Sequence, residues 1–212
     1  MPKLFVSNKN ESVRMFKSDF LELFSKVHFT VPLFVFVPVI GYLYYISFFQ
    51  RSYSILQIVL LSLGGLITWT ITEYLLHRFI FHIHATSKWG KRIMFVIHEV
   101  HHDYPNDANR LVMPPVLSIP LALIFYHLYG LMVGNYNIPV FFAAFLIGYL
   151  IYDMGHYAIH HFSLKGKYWG AIKAHHMRHH YVDPDRGYGV SSPLWDLVLK
   201  TGYKKDEQPI EE

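Results

Sequence analysis

Ile138-Pro139-Val140-Phe141-Phe142-Ala143-Ala144-Phe145-Leu146-Ile147-Gly148-Tyr149-Leu150-Ile151-Tyr152-Asp153-Met154-Gly155-His156-Tyr157-Ala158-Ile159-His160-His161 is the stretch on which the fold turns. It opens as an apolar run and closes in histidines. From Ile138 to Ile159 it is long enough to cross a bilayer, which takes about 20 helical residues. Three other stretches have the same character: Val31–Phe49, Tyr53–Leu76 and Val112–Val133. Only Gln50-Arg51-Ser52 separates the first two, and Gly134-Asn135-Tyr136-Asn137 the last two. Links that short predict two helical hairpins. Pro32, Pro114, Pro115 and Pro139 lie near helix starts, where a missing N–H costs little, while Pro38 and Pro120 fall where they can kink a helix.

The composition agrees. Of 212 residues 52% are hydrophobic and 16% charged, against about 25% charged in a soluble domain. The mean hydropathy of +0.22 averages apolar stretches with polar ones. The length suits one domain. Met1–Thr30 mixes charges with scattered apolar residues and reads as no cleavable signal peptide, so the run from Val31 is expected to stay as a span. Lys204–Glu212 is polar and carries no lipidation or retrieval signal.

The alternative to membrane spans is four buried helices of a soluble bundle, and charge placement argues against it. Four crossings return both termini to one side. That side receives Lys3, Lys9, Arg14, Lys17 and Lys26 before the first span, and Arg78, Lys88, Lys91, Arg92 and Arg110 between the hairpins. After the fourth span come Lys165, Lys167, Lys173, Arg178, Arg186, Lys200, Lys204 and Lys205; Arg51 alone is opposite. The bias of Lys and Arg toward the cytoplasm makes the crowded side, with both termini, cytoplasmic. An endoplasmic reticulum membrane and a bacterial inner membrane both satisfy it.

There is no cysteine, so neither a disulfide framework nor a thiolate site is possible. Any metal is held by nitrogen and oxygen. Histidine is abundant, with 15 in the chain. His77 and His82 follow the second span; His98, His101 and His102 lie between the hairpins. His156 and His160 close the fourth span, and His176, His179 and His180 follow it. All ten fall on the cytoplasmic side of spans that apolar length alone defines. The spacings i, i+3, i+4 and i, i+4 put each set on one helix face. His77 and His82, at i, i+5, require the helix to end or distort between them. Converging without a metal, the rings would repel one another once protonated. Ten imidazoles exceed the capacity of one cation, so two metal ions are expected. Imidazole suits zinc, iron, copper and nickel alike.

The other histidines carry less. His161 and His175 adjoin the sets but point elsewhere on their helices, His84 is ambiguous, and His28 and His127 read as structural. Two carboxylates stand near the ligands. Glu73 is one turn before His77, and Asp153 lies three residues before His156. Each is a candidate to accept an imidazole N–H and so fix the ring, or else to cap a loop or pair with Arg78 or Arg110. His98-Glu99-Val100-His101-His102 also matches the zinc-protease pattern H-E-x-x-H. That reading leaves the remaining histidine sets idle. A metal-transport or metal-binding role is the non-enzymatic alternative, but transport sites usually lie near mid-membrane, and these ligands gather at one interface.

Several strings together resemble the fatty acid hydroxylase superfamily. They are Leu76-His77-Arg78-Phe79-Ile80-Phe81-His82, His98-x-x-His101-His102, Tyr152-Asp153-x-x-His156-x-x-x-His160-His161 and His176-x-x-His179-His180. Arg110-Leu111-Val112-Met113-Pro114-Pro115 and Gly187-Tyr188-Gly189-Val190-Ser191-Ser192-Pro193-Leu194-Trp195-Asp196 narrow the resemblance to fatty acid 2-hydroxylases of sphingolipid acyl chains. The histidine pattern alone is shared with oxidases of sterols and carotenoids.

The resemblance implies an all-α integral membrane protein, four transmembrane helices in two hairpins plus a cytosolic helical cap. Its dimetal site would use His77, His82, His98, His101, His102, His156, His160, His176, His179 and His180. It also implies hydroxylation at C2 of a long acyl chain with dioxygen as co-substrate. Iron is expected for that redox chemistry, since zinc has none, yet the same cage accepts zinc. Many relatives carry an N-terminal cytochrome domain. Here about 30 residues precede the first span, so a separate electron donor, of cytochrome or ferredoxin type, is expected. The expected organisation is a cytosolic segment 1–30, a hydroxylase domain 31–203 and a polar tail 204–212. Its partners are the bilayer and a lipid acyl substrate, with no nucleic acid.

Overall fold

The computed structural model describes residues 4–203, and among them all regular structure is helical. The polar tail and three of the counted basic residues, Lys3, Lys204 and Lys205, lie outside the described residues. In chain order the helices are α1 (Asp19–Leu23), α2 (Val31–Tyr45), α3 (Ile55–Leu76), α4 (Lys88–Met94), α5 (Val100–Asp103), α6 (Pro115–His161), α7 (Lys167–Tyr181) and α8 (Leu194–Leu199). π-helical turns at Ile46–Gln50 and His77–Phe81 extend α2 and α3, and another at Phe95–Glu99 joins α4 to α5. Three helical segments are long and apolar enough to cross a membrane: Val31–Gln50, Ile55–Phe81 and Pro115–His161.

The third segment has 47 residues. Held straight it would reach about 70 Å, more than twice the roughly 30 Å of a bilayer core. It does not stay straight. Gly134 leaves the helical region at φ 82°, ψ 151°, a left-handed conformation that costs glycine little. The two arms then fold back on each other, with Phe125 against Phe145 at 5.6 Å and Tyr129 against Phe141 at 5.8 Å between ring centroids. The sequence predicts a four-residue link, Gly134–Asn137, but only Gly134 departs from helical geometry. The Asn137 side chain donates to the Val133 carbonyl at 2.9 Å, which spans the break. Helical structure also continues through Pro38 and Pro120.

The helices meet through small residues. A Cβ on Gly65 of α3 would collide with the Phe141 carbonyl of α6, so the two backbones touch where the side chain is missing. Close approach through glycine is how membrane helices gain contact where lipid gives no hydrophobic drive. Trp69 continues the seam, edge-on to Phe145 at 5.1 Å and to Tyr149 at 5.4 Å. Phe36 of α2 packs on the same Tyr149 at 5.2 Å. The outward side is apolar and uncovered: Phe34 is 78% exposed, Ile55 81% and Leu131 86%. A soluble bundle would bury such a surface.

At the loop end Ser54 and Gln57 form a reciprocal capping box on α3. Arg51 donates to the Asn135 carbonyl at 3.0 Å, joining the turn before α3 to the Gly134 bend. At the opposite end the N-terminal segment lies across the loop that precedes α6. Val6 N–H reaches the Asp103 carbonyl at 2.9 Å, Ser12 Oγ donates to Asp107 at 2.6 Å, and Val27 N–H reaches the Asn109 carbonyl at 2.7 Å.

Candidate metal centre

The ten histidines singled out by spacing come together as two groups of five. His77, His82, His98, His102 and His179 form one; His101, His156, His160, His176 and His180 form the other. Within each group one nitrogen per ring lies within 4.8 Å of all the others. Helical spacing sorts them. His98 and His102, at i and i+4, serve the first group while His101, a turn face away, serves the second. On α7 the sorting reverses: His176 and His180 serve the second group and His179 the first. His77 and His82 face the same point because the α-helix gives way at His77 to a π-helical turn, whose i to i+5 repeat aligns residues five apart.

The nitrogen geometry fits a cation. Nε2 of His77 is 3.1 Å from Nε2 of His98 and 3.2 Å from that of His82; His102 to His98 and His179 to His82 are each 3.1 Å. In the second group His176 Nε2 is 3.0 Å from that of His160 and 3.1 Å from that of His180. Metal–nitrogen bonds of about 2.0–2.1 Å at right angles place neighbouring donors about 3 Å apart. These contacts cannot all be hydrogen bonds. His77 Nδ1 lies 2.5 Å from the Tyr188 carbonyl and His179 Nδ1 2.7 Å from that of Arg186. Each therefore donates outward and turns an Nε2 lone pair inward, toward other lone pairs, where only a cation satisfies it.

Electrostatics agree outside the membrane segments. Burial first, and neighbouring imidazoles second, push His82 and His101 down to about 3. The same causes hold His98, His102, His176 and His180 well below the ordinary value. His179 is also held well below it, by burial and by His77 and His82, although its bond to the Arg186 carbonyl works the other way. Near neutral pH these rings are uncharged and offer lone pairs. The groups also touch, His102 stacking on His180 at 4.2 Å.

A cavity of about 610 Å³ opens beside this pair, within the range of small-molecule sites. Its lining includes buried His98 of the first group and buried His101 and His156 of the second, together with the exposed Phe20, Leu21 and Phe24. Arg110, Leu111, Val112, Met113 and Pro114 form part of the wall. The same string that narrowed the resemblance thus shapes the space beside the histidines.

Glu73 and Asp153 do not bond to an imidazole. Glu73 accepts the N–H groups of Val190 and Ser191 and the Ser191 hydroxyl, so it caps a loop. Asp153 accepts Met113 N–H at 3.2 Å and Tyr149 OH at 3.0 Å, fixing the cavity wall. Glu99 is exposed. His161 packs tilted against Tyr157 at 4.5 Å between ring centroids, His84 lies 3.3 Å from Asp185 at the surface, and His28 bonds Thr30. His127 packs beside Tyr126 in α6. His175 binds Asp196 at 3.1 Å. Three partners escape the sequence reading: Asp196, buried in the first turn of α8, and the carbonyls of Arg186 and Tyr188. Asp196 closes the Gly187–Asp196 string, but a backbone carbonyl leaves no signal in a sequence.

Two histidine quintets at the end of an apolar helical bundle, beside an apolar cavity, define a membrane lipid-oxidising enzyme class; the chain belongs to the fatty acid hydroxylase family, whose profile matches residues 62–201. Among individual relatives, the dihydroceramide fatty acyl 2-hydroxylase FAH2 of Arabidopsis thaliana is 36% identical over 90% of this chain and 80% of its own length. The fatty acid 2-hydroxylase of Rattus norvegicus is 37% identical over 93% of this chain, which spans 58% of that longer protein. A solved structure described as full-length scs7p, with only its hydroxylase domain visible, superposes with a TM-score of 0.82 at 33% identity. It covers 92% of this chain and 73% of that one.

Proposed function

We propose that the protein hydroxylates C2 of a long acyl chain, in a fatty acid or a sphingolipid, at a centre of two metal ions held by the ten histidines. The observation that carries this reading is the apolar cavity lined by His98, His101 and His156, ligand candidates from both groups. An acyl chain laid along that wall brings a carbon near its head to the histidines while its tail stays among apolar side chains.

The bound metals would supply redox chemistry with dioxygen, for which iron fits and zinc does not. The overall change is C–H + O₂ + 2 e⁻ + 2 H⁺ → C–OH + H₂O, with the electrons from a separate donor of cytochrome or ferredoxin type. The protein's own part is positional. His77 and His179 hold their lone pairs inward, Asp153 fixes the backbone at Met113, and the cavity wall excludes water from the reacting carbon. The fold-back of α6 at Gly134 supports four crossings in two hairpins, with α4, α5, α7 and α8 as the proposed cytosolic cap. The Lys and Arg distribution supports a cytoplasmic side for both termini, in the endoplasmic reticulum or a bacterial inner membrane.

The test is lipid analysis of a host expressing the chain beside its His156→Ala and His179→Ala variants. New 2-hydroxy fatty acids with the parent chain alone are expected. A hydroxylated sterol or carotenoid instead, or undiminished product from either variant, overturns the reading.

A further inference from the structure

Four consecutive backbone N–H groups end on two buried carboxylates. Asp196 accepts from Tyr188 at 3.0 Å and Gly189 at 2.7 Å; Glu73 accepts from Val190 at 2.9 Å and Ser191 at 2.8 Å. Both carboxylates are nearly inaccessible, Asp196 at 1% and Glu73 at 5% exposure. Neither lines the cavity. What they hold is a loop that presents carbonyls to one histidine group: Tyr188 to His77 Nδ1 and Arg186 to His179 Nδ1. The second group has no equivalent. Nδ1 of His160, of His176 and of His180 is buried and without a hydrogen-bond partner among the described residues.

A carbonyl on the outer ring nitrogen fixes the tautomer and raises the basicity of the inner one, and losing such a partner costs about 10- to 100-fold in metal affinity. We propose that the two centres are unequal, the His77 group holding its metal more tightly than the His101 group, and that Glu73 and Asp196 are the positioning residues responsible. The inference rests on the two-metal reading and deepens it. Each carboxylate acts at a distance: it pins the N–H side of the 188–191 backbone and thereby sets where the Tyr188 carbonyl meets the ring.

One-metal variants of the full-length protein in detergent isolate each centre. His160→Ala loaded with zinc leaves the His77 group, and His77→Ala leaves the His101 group. Competition against a chromogenic chelator reads affinity without reference to activity. The His77 group should hold zinc about 10- to 100-fold more tightly. Equal affinities, or a tighter His101 group, overturn the inequality.

In the His160→Ala background Glu73→Ala should lower zinc affinity about tenfold, and Glu73→Gln, whose side-chain carbonyl still accepts both N–H groups, should restore most of it. In the His77→Ala background neither should change it. Equal loss in both backgrounds marks a purely structural role and overturns the positioning assignment. Asp196→Asn puts an NH₂ in place of one of the two oxygens that separately accept Tyr188 and Gly189 N–H; it should lower zinc affinity in the His160→Ala background alone, and supplies a second variant should Glu73→Ala not fold. Protein that takes up no zinc contradicts the two-metal reading as well; two ions of equal affinity leave that reading intact and remove this inference alone.

Discussion

Arg110 and Glu22 form a buried ion pair, with Nη2 2.6 Å from Oε1, and it closes the N-terminal segment over one side of the cavity. Arg110 also donates to the Val13 carbonyl. Glu22 accepts the N–H groups of Met15 and Phe16 at 2.9 Å each. Met15, Phe16 and Arg110 all line the cavity. The pair therefore fixes a wall made from two distant parts of the chain.

Glu22→Gln removes the closer carboxylate and leaves the buried Arg110 guanidinium with Asp107, 3.5 Å away, as its remaining counter-ion. Hydrogen bonds to charged groups contribute about 1.5–3 kcal/mol, so a loss of that order is expected. It should appear as a lower melting temperature in detergent. An unchanged value would mean that Arg110 finds a full replacement among Asp107, Ser25 and Val13.

The same pair sets an acid limit on stability. Burial alone would raise Glu22, but the Phe16 and Met15 N–H groups, then Arg110 and Lys26, outweigh it and hold the carboxyl below its ordinary value of 4.5. A folded-state value below the unfolded one stabilises the fold above pH 4.5, and that contribution disappears as the pH falls through the folded value. Melting temperature measured downward from pH 7 should fall in this acid range, and fall less in Glu22→Gln.

Leu121 lines the same cavity as His98, His101 and His156. Leu121→Trp fills space that the proposed acyl chain occupies and leaves the ligands untouched. Product from the longest chains should drop by about tenfold or more, with metal content per chain unchanged. Loss of metal together with product would place the effect on the centre rather than on the cavity.

Glu99 separates the protease pattern from the hydroxylase reading. It is exposed between two candidate ligands, His98 and His101, so Glu99→Gln should change product yield by no more than about twofold, the scale of a surface substitution. A loss of two orders of magnitude would make it a general base.

Much of this was open to inspection in the sequence. Apolar runs longer than a bilayer is thick cannot be hidden, so the membrane-length helices at Val31, Ile55 and Pro115 were legible to within a few residues. The histidines were legible for a related reason: helical periodicity ties spacing to direction, and His156/His160 or His176/His180 share a face wherever the helix lies. Even the five-residue gap between His77 and His82 announced a distortion, which the π-helical turn supplies. What periodicity cannot convey is which faces meet. The division of His98 and His102 from His101 depends on where α5 and α7 dock, and docking is set by contacts between residues far apart in the chain. Glu73 illustrates the limit. One turn from His77 it looked like that ring's partner, but side-chain direction and packing carry it to Val190 and Ser191, over a hundred residues away. The chain determined by itself which runs are long and apolar enough to cross a membrane and which histidines share a helix face; tertiary structure alone decided which rings come together and which carbonyls meet them, because those relationships run through space and through backbone atoms that every residue has in common.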